Sequence, residues 1–182
     1  MEVRDDIAIL DLLRDDPDRG MAALAESYYG RVLNLCFSFA GDEDEARDLA
    51  QEVFIKVFTS LKGFKGKSSL STWIYRVTVN ACIDTARKMK RNRTVPLDEN
   101  APAEGPREVR CEASEPVREA IARLPLRYRT VVILREIEGR SYREMADILG
   151  CSIGTIESRL HRGRDMLRKL LAPWLRRMSD EM

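Results

Sequence analysis

A chain of 182 residues, 44% hydrophobic and 34% charged, can bury a core, and 10 glycines with 7 prolines exclude a collagen-like or fully disordered polymer. No apolar run approaches the roughly 20 residues of a bilayer span, and the start, MEVRDDIAILDLLRDD, lacks a signal peptide's basic segment and cleavage site, so a cytoplasmic protein with no membrane span of its own is expected. The net charge of +1 conceals segregation: residues 1–60 carry −8, 61–95 carry +8, 96–120 carry −4 and 121–182 carry +5. Two basic surfaces on one small chain imply two contacts with nucleic acid.

Helical periodicity fills most of the length, so an all-α fold of two helical domains is expected. Residues 3–15 read as a short helix ended by Asp16-Pro17, and residues 19–40 as a longer one with Leu24, Tyr28, Val32, Leu35 and Phe39 on its core face. Gly41 breaks that helix, and Asp42 or Asp44 caps a third, whose buried stripe includes Leu49, Val53, Phe54 and Val57. A basic loop, residues 63–69, leads into a fourth helix from about Leu70 to Arg91. From Thr94 to Pro116 four prolines and many acids replace periodicity, which reads as a linker between domains 1–93 and 117–175. Helices over 117–124 and 127–137 follow, and the end from Pro173 reads as a frayed tail.

Residues 141–171 read as two helices joined by a tight turn. Ser141 and Glu144 form a capping box, Gly150 can take the left-handed conformation that closes a helix, and Ser152 caps the next one. That second helix is expected to bury Ile153, Ile156, Leu160, Leu167, Leu170 and Leu171, with Ser158, Arg159, His161, Arg162 and Arg164 outward. This is the form of a helix-turn-helix DNA reader. Ser158, His161 and Arg162 would face base edges, and Arg159 or Arg164 phosphates, with Thr155 at the same end; Glu157 would repel phosphate unless it accepts from a cytosine amino group.

Two further surfaces stand out. Asp48, Gln51, Glu52 and Ile55 share one face of the third helix, either an ordinary solvated face with a stray apolar residue or a dock for a basic partner helix. Arg76, Asn80, Ile83 and Arg87 recur along the fourth helix, extended by Lys88, with Phe64, Lys67, Trp73 and Tyr75 close in sequence. Cations, flat rings and an amide are the parts that hold single-stranded nucleic acid, although Trp73 could equally be core. The four cysteines, Cys36, Cys82, Cys111 and Cys151, contain no C-x-x-C and His161 is the sole histidine. No catalytic group, metal site or cofactor is therefore expected, and Cys36 and Cys82 read as small buried hydrophobes.

DEDEARDLAQEVFIKVF, FKGKSSLSTWIYRVTVNACID and LPLRYRTVVILREIEGRSYREMADILGCSIGTIESRLHRGRDML, in that order, resemble the extracytoplasmic-function (ECF) class of bacterial RNA polymerase sigma factors. The resemblance implies a two-domain protein with conserved regions 2 and 4. It implies that Asp48, Leu49, Gln51, Glu52 and Ile55 dock on the clamp helices of the polymerase's largest subunit. It also implies that Phe64, Lys67, Ser68, Ser69, Leu70, Trp73, Arg76, Asn80, Arg87 and Lys88 take the minus-ten element as melted strand. Thr155, Ser158, Arg159, His161, Arg162 and Arg164 would read the minus-thirty-five element as duplex. Residues 94–116 would thread toward the polymerase active-site channel, and an anti-sigma factor would be a further partner. The competing reading is a dimeric helix-turn-helix regulator acting without polymerase.

Overall fold

The structure, a computed structural model, describes residues 2–92 and 115–180. Among them every regular element is helical: α1 (Glu2–Asp15), α2 (Pro17–Ala40), α3 (Glu43–Ser60), α4 (Leu70–Asn92), α5 (Glu115–Ala122), α6 (Leu126–Val132), α7 (Tyr142–Leu149) and α8 (Ile153–Asp180). A 3-10 turn spans Leu61–Gly63 and a π-helical turn Ile133–Ile137.

Local chemistry sets the boundaries. The Asp16 carboxylate accepts from the Arg19 amide at 3.2 Å, with Pro17 opening α2, where a missing N–H costs nothing. Gly41, at φ 76°, closes α2 by donating to the Phe37 carbonyl at 2.8 Å. Asp42, not Asp44, caps α3, accepting from the amides of Asp44 and Glu45 at 3.0 Å each. The apolar stripes of α2, α3 and α4 then meet, burying Leu24, Leu35, Val53, Val57, Ile74 and Val79, and Cys36 and Cys82 are buried among them as expected.

α1 anchors this block to the basic loop. It lies so close on α2 that a Cβ at Gly20 would stand 2.5 Å from the Leu13 backbone nitrogen. The approach places Asp6, 6% exposed, where it accepts from the Tyr28 hydroxyl and from the Ser71 amide at 3.2 Å. Burial, reinforced by the Asp6 carboxylate, pushes the Tyr28 phenol well above its usual pKa. Asp6 thereby ties the first turn of α4, the exit of the loop, to the start of the chain.

In the second block α8 crosses α6 at Gly163, where a Cβ would meet Val132 Cγ2 at 2.9 Å. Ile121, Val131, Met145, Ile148, Ile156 and Leu160 fill the space between α5, α6, α7 and α8.

Four expectations need correction. Ile153 and Leu170 are 45% and 36% exposed, because α7 and α6 cover only the stripe through Ile156 and Leu160. The end of the chain is not frayed at Pro173: α8 runs through it to Asp180, the proline removing a single amide. Helix α5 begins at Glu115, inside the stretch read as linker, whose residues 94–114 lie outside those described. Residues 127–137 are not one α-helix: Glu138 donates to the Ile133 carbonyl, five residues back, at 3.0 Å, which widens the last turn.

The two blocks also pack on each other, α7 and α6 against α4, and share one continuous core. The Tyr75 hydroxyl of α4 donates to Glu138 Oε2 at 2.8 Å, and the Arg140 guanidinium lies over the Tyr75 ring, 3.9 Å from its centre. Arg76 donates to the Asp147 carbonyl at the end of α7. Arg129 of α6, 8% exposed, lies 6.0 Å from the Phe39 ring centre of α2.

Candidate nucleic-acid interface

The helix-turn-helix is held by its caps. Ser141 N–H donates to Glu144 Oε2 at 2.9 Å while the Glu144 amide donates to Ser141 Oγ at 3.3 Å, closing the capping box. Burial alone would raise the Glu144 carboxyl, but the Ser141 bonds and the Arg140 guanidinium outweigh it and hold it below its usual range. Gly150 turns the chain at φ 61°, and Ser152 Oγ accepts the Thr155 amide at 3.2 Å to start α8. The start of α7 is thus fixed by Ser141 and Glu144, and the turn from α7 into α8 by Gly150 and Ser152.

On α8, Ser158, His161, Arg162 and Arg164 are exposed and Thr155 and Arg159 half-buried, all outside the buried stripe. Their charges differ in freedom. Arg164 is held by Glu136 through Nε at 2.9 Å and Nη2 at 2.7 Å, and His161 Nε2 lies 3.3 Å from Asp165. Exposed bridges of this kind contribute about 0–1 kcal/mol, so a phosphate can displace Glu136 from Arg164. Arg162 lies beside the Tyr128 hydroxyl, and Glu157 is exposed on the same helix.

The loop before α4 is shaped by Gly66 at φ 67° and by Ser69, whose Oγ accepts the Thr72 amide at 3.1 Å as the cap of α4. Lys67 and Ser69 are exposed, and Ser68 and Phe64 half-buried. Phe64 packs its ring 5.3 Å from that of Trp73, so Trp73 is half in the core and half at the surface. Leu70, 1% exposed, is core and supports the loop from beneath. Along α4, Asn80, Arg87 and Lys88 are exposed, Ile83 is half-buried against the core, and Arg76 is turned toward α7. Tyr75, 4% exposed, is unavailable for base stacking in this arrangement.

On α3, Asp48, Gln51 and Glu52 are exposed around Ile55, itself 62% exposed, whereas Leu49 at 6% belongs to the core and fixes the face from behind. Among the described residues no group of His, Cys, Asp or Glu could hold a metal ion, and no helix is long and apolar enough to cross a membrane.

Comparison with known proteins follows this division. Residues 24–92 match the family model for sigma-70 region 2, and residues 114–167 that for sigma-70 region 4. The chain is 34% identical over 165 residues to the ECF RNA polymerase sigma factor SigW of Bacillus subtilis, covering 82% of this chain and 88% of that protein. It belongs to the ECF sigma factors. The RNA polymerase sigma-H factor of Pseudomonas aeruginosa is 35% identical over 177 residues, covering 87% of this chain and 89% of that one. Among solved structures, the sigma factor RpoE of Bartonella quintana, in complex with the anti-sigma factor NepR, superposes with a TM-score of 0.64 at 27% identity, covering 81% of this chain and 94% of that one. As an ECF sigma factor the chain is a transcription-initiation factor and not an enzyme, and the dimeric-regulator alternative is not favoured.

Sequence reasoning missed Asp6, Glu136, Glu138 and Arg140 as residues that shape these surfaces. Only Arg140 carried a local sign, four residues before Glu144 at helical pairing distance. The others act across 22 to 65 residues of chain, where spacing says nothing.

Proposed function

We propose that this sigma factor docks on the clamp helices of the polymerase's largest subunit through Asp48, Gln51, Glu52 and Ile55, with Leu49 holding that face in place. It takes the minus-ten element as melted strand through the 63–69 loop and the Asn80, Arg87 and Lys88 side of α4, joined by Arg76 once that side chain leaves α7. It reads the minus-thirty-five element as duplex through the outer face of α8. Polymerase fixes the distance between the two modules, so weak individual contacts combine through effective concentration. Melting then follows from capture of unpaired bases by preformed stacking and amide groups, a population shift with no chemical step. An anti-sigma factor is the natural regulator, as RpoE of Bartonella quintana is found with NepR, and the cytoplasm is the place of action.

The observation that carries this reading is Ile55, 62% exposed at the centre of an acidic and amide face. An apolar residue ringed by carboxylates and an amide suits docking on a larger protein with a basic helix, and the acidic ring would repel DNA phosphates. In vitro transcription with core polymerase, followed by mapping of start sites, tests it. Asn80→Ala should impair promoter opening while sparing polymerase binding, and Gln51→Ala with Glu52→Ala should do the reverse. Equal loss of both steps in both variants would refute the division of labour. Tight sequence-specific binding to duplex DNA by the chain alone would favour the regulator instead.

A further inference from the structure

We propose that Glu157 sets a base preference within the minus-thirty-five element, its carboxylate accepting from the N4 amino group of a cytosine in the major groove; this rests on the promoter reading above. A helix turns about 100° per residue, so Ser158 stands opposite the buried stripe of α8 through Ile156 and Leu160. Ser158 thereby divides the outer face into two flanks. Thr155, Arg159 and Arg162 line one of them, and Ile153, Glu157, His161 and Arg164 line the other.

The flanks differ in what they can face. The first offers a hydroxyl and two guanidinium groups, which suit phosphates and acceptor-bearing base edges alike. On the second, Ile153 is 45% exposed, and Glu157 is exposed and makes no ion pair among the described residues. Neither suits a phosphate, since isoleucine has no donor and a carboxylate repels. The cations further along this flank do not neutralise Glu157: His161 lies 3.3 Å from Asp165, and Arg164 is held by Glu136. Arg164 also stands about 10 Å from Glu157 along the helix axis. A phosphate taken by Arg164 therefore marks the rim of the groove, and Ile153 and Glu157 lie two turns or more nearer the end of α8 that enters it. At that end of a recognition helix the side chains meet base edges.

The chemistry of the groove then selects the base. An ionised carboxylate only accepts hydrogen bonds. Guanine shows it two acceptors, thymine an acceptor beside a methyl, and adenine a donor beside an acceptor; cytosine alone shows a donor with no acceptor next to it. Glu157 is thus repelled by guanine and thymine, partly opposed by adenine and matched by cytosine. A carboxylate early in a helix also favours the helix dipole, and Glu157 is the fifth residue of α8. That contribution would act equally at every promoter, whereas a base contact acts at one position. The start of α8 is in any case already capped by Ser152, whose Oγ accepts the Thr155 amide.

Holoenzyme reconstituted from the full chain and core polymerase tests this on promoters randomised across the minus-thirty-five element, each carrying a transcribed barcode. Counting the barcoded RNA gives the preference at every position. The natural chain should favour cytosine about tenfold at one position of one strand. Glu157→Gln should move that preference to adenine, whose N6 and N7 pair with an amide, and Glu157→Lys should move it to guanine. Glutamine and lysine match glutamate in helix propensity, so either variant carries the test if the other fails to fold. A Glu157→Gln profile superimposable on the natural one overturns the proposal. So does a uniform rise across the library, which would mean phosphate repulsion alone, or a uniform fall, which would mean a helix-end role alone. Initiation by the natural chain with no position that favours cytosine overturns the base assignment and leaves the promoter reading intact. Absence of initiation from every promoter removes the promoter reading and the base assignment together.

Discussion

Replacing Gly163 by alanine sets two effects against each other where α8 crosses α6. Alanine gains about 1 kcal/mol of helix propensity over glycine. The new methyl, however, would stand 2.9 Å from Val132 Cγ2, and ordinary carbon contacts need ~3.5–4.0 Å. Val132 is 0% exposed and β-branched, with essentially one side-chain rotamer open to it in a helix, so it cannot turn away. α8 must back off from α6 instead, and overpacking of this kind costs roughly 1–3 kcal/mol. The balance is a net loss of about 1 kcal/mol, or a fall in Tm of ~2–4 °C for a chain of this size. Thermal unfolding of Gly163→Ala measures it. A double-mutant cycle with Val132→Ala isolates the contact, because the space left by the valine methyls accepts the new one, and a favourable coupling of about 1 kcal/mol is expected. A rise in Tm for Gly163→Ala, or an additive cycle, would refute the close approach that aims the outer face of α8.

Three other outcomes can be measured directly. Asp6→Ala strands the Tyr28 hydroxyl and the Ser71 amide, and should lower stability in urea by about 2–4 kcal/mol, from two bonds to a charged acceptor; a loss below 1 kcal/mol would mean that α1 does not hold α4. Arg129→Met replaces a buried, under-satisfied cation with an apolar chain of similar length and should raise Tm, the gain being about 1–2 kcal/mol because the cation–π contact it forfeits is the smaller quantity. Burial raises the Glu138 carboxyl against the opposing influence of the Tyr75 hydroxyl on α4, Arg140 and Arg31 on α2. A carboxyl raised in the folded state holds its proton more tightly there, so its contribution to stability is greatest below its ordinary value near 4.5 and declines as pH rises through the raised one. The Tm advantage of Glu138→Gln over the natural chain should accordingly shrink as pH is lowered from 7 toward 4.5, and an advantage constant with pH would contradict it.

What could be read in the sequence was what acts within one helical turn. The Ser141–Glu144 capping box and the Gly41 and Gly150 helix ends join neighbours no more than four residues apart and stand as expected, and of the two candidate caps of α3, Asp42 and Asp44, the structure selects Asp42. The core stripes of α2 and α3 were legible for the same reason, since periodicity is local. Ile153 and Leu170 show the limit: an apolar residue near the edge of a stripe is buried only if a neighbouring helix happens to cover it. The widened turn at Ile133–Ile137 was hidden because VVILREIE satisfies an α pattern equally well. The candidate surfaces were legible only as exposed charged faces, and family membership rests on both regions matching. The turning of Arg76 toward Asp147, by contrast, joins residues 71 positions apart and left no trace in spacing.

That widened turn has a mechanical consequence. Glu136 and Glu138 stand two positions apart, yet one clasps Arg164 on α8 and the other Tyr75 on α4. Both carboxylates take their direction from the turn that follows Val132, so deleting one residue between Val132 and Glu136 would swing both off their targets in a single stroke. A point substitution severs one grip at a time, whereas a one-residue register slip here acts like a stripped gear, freeing α8 and α4 together.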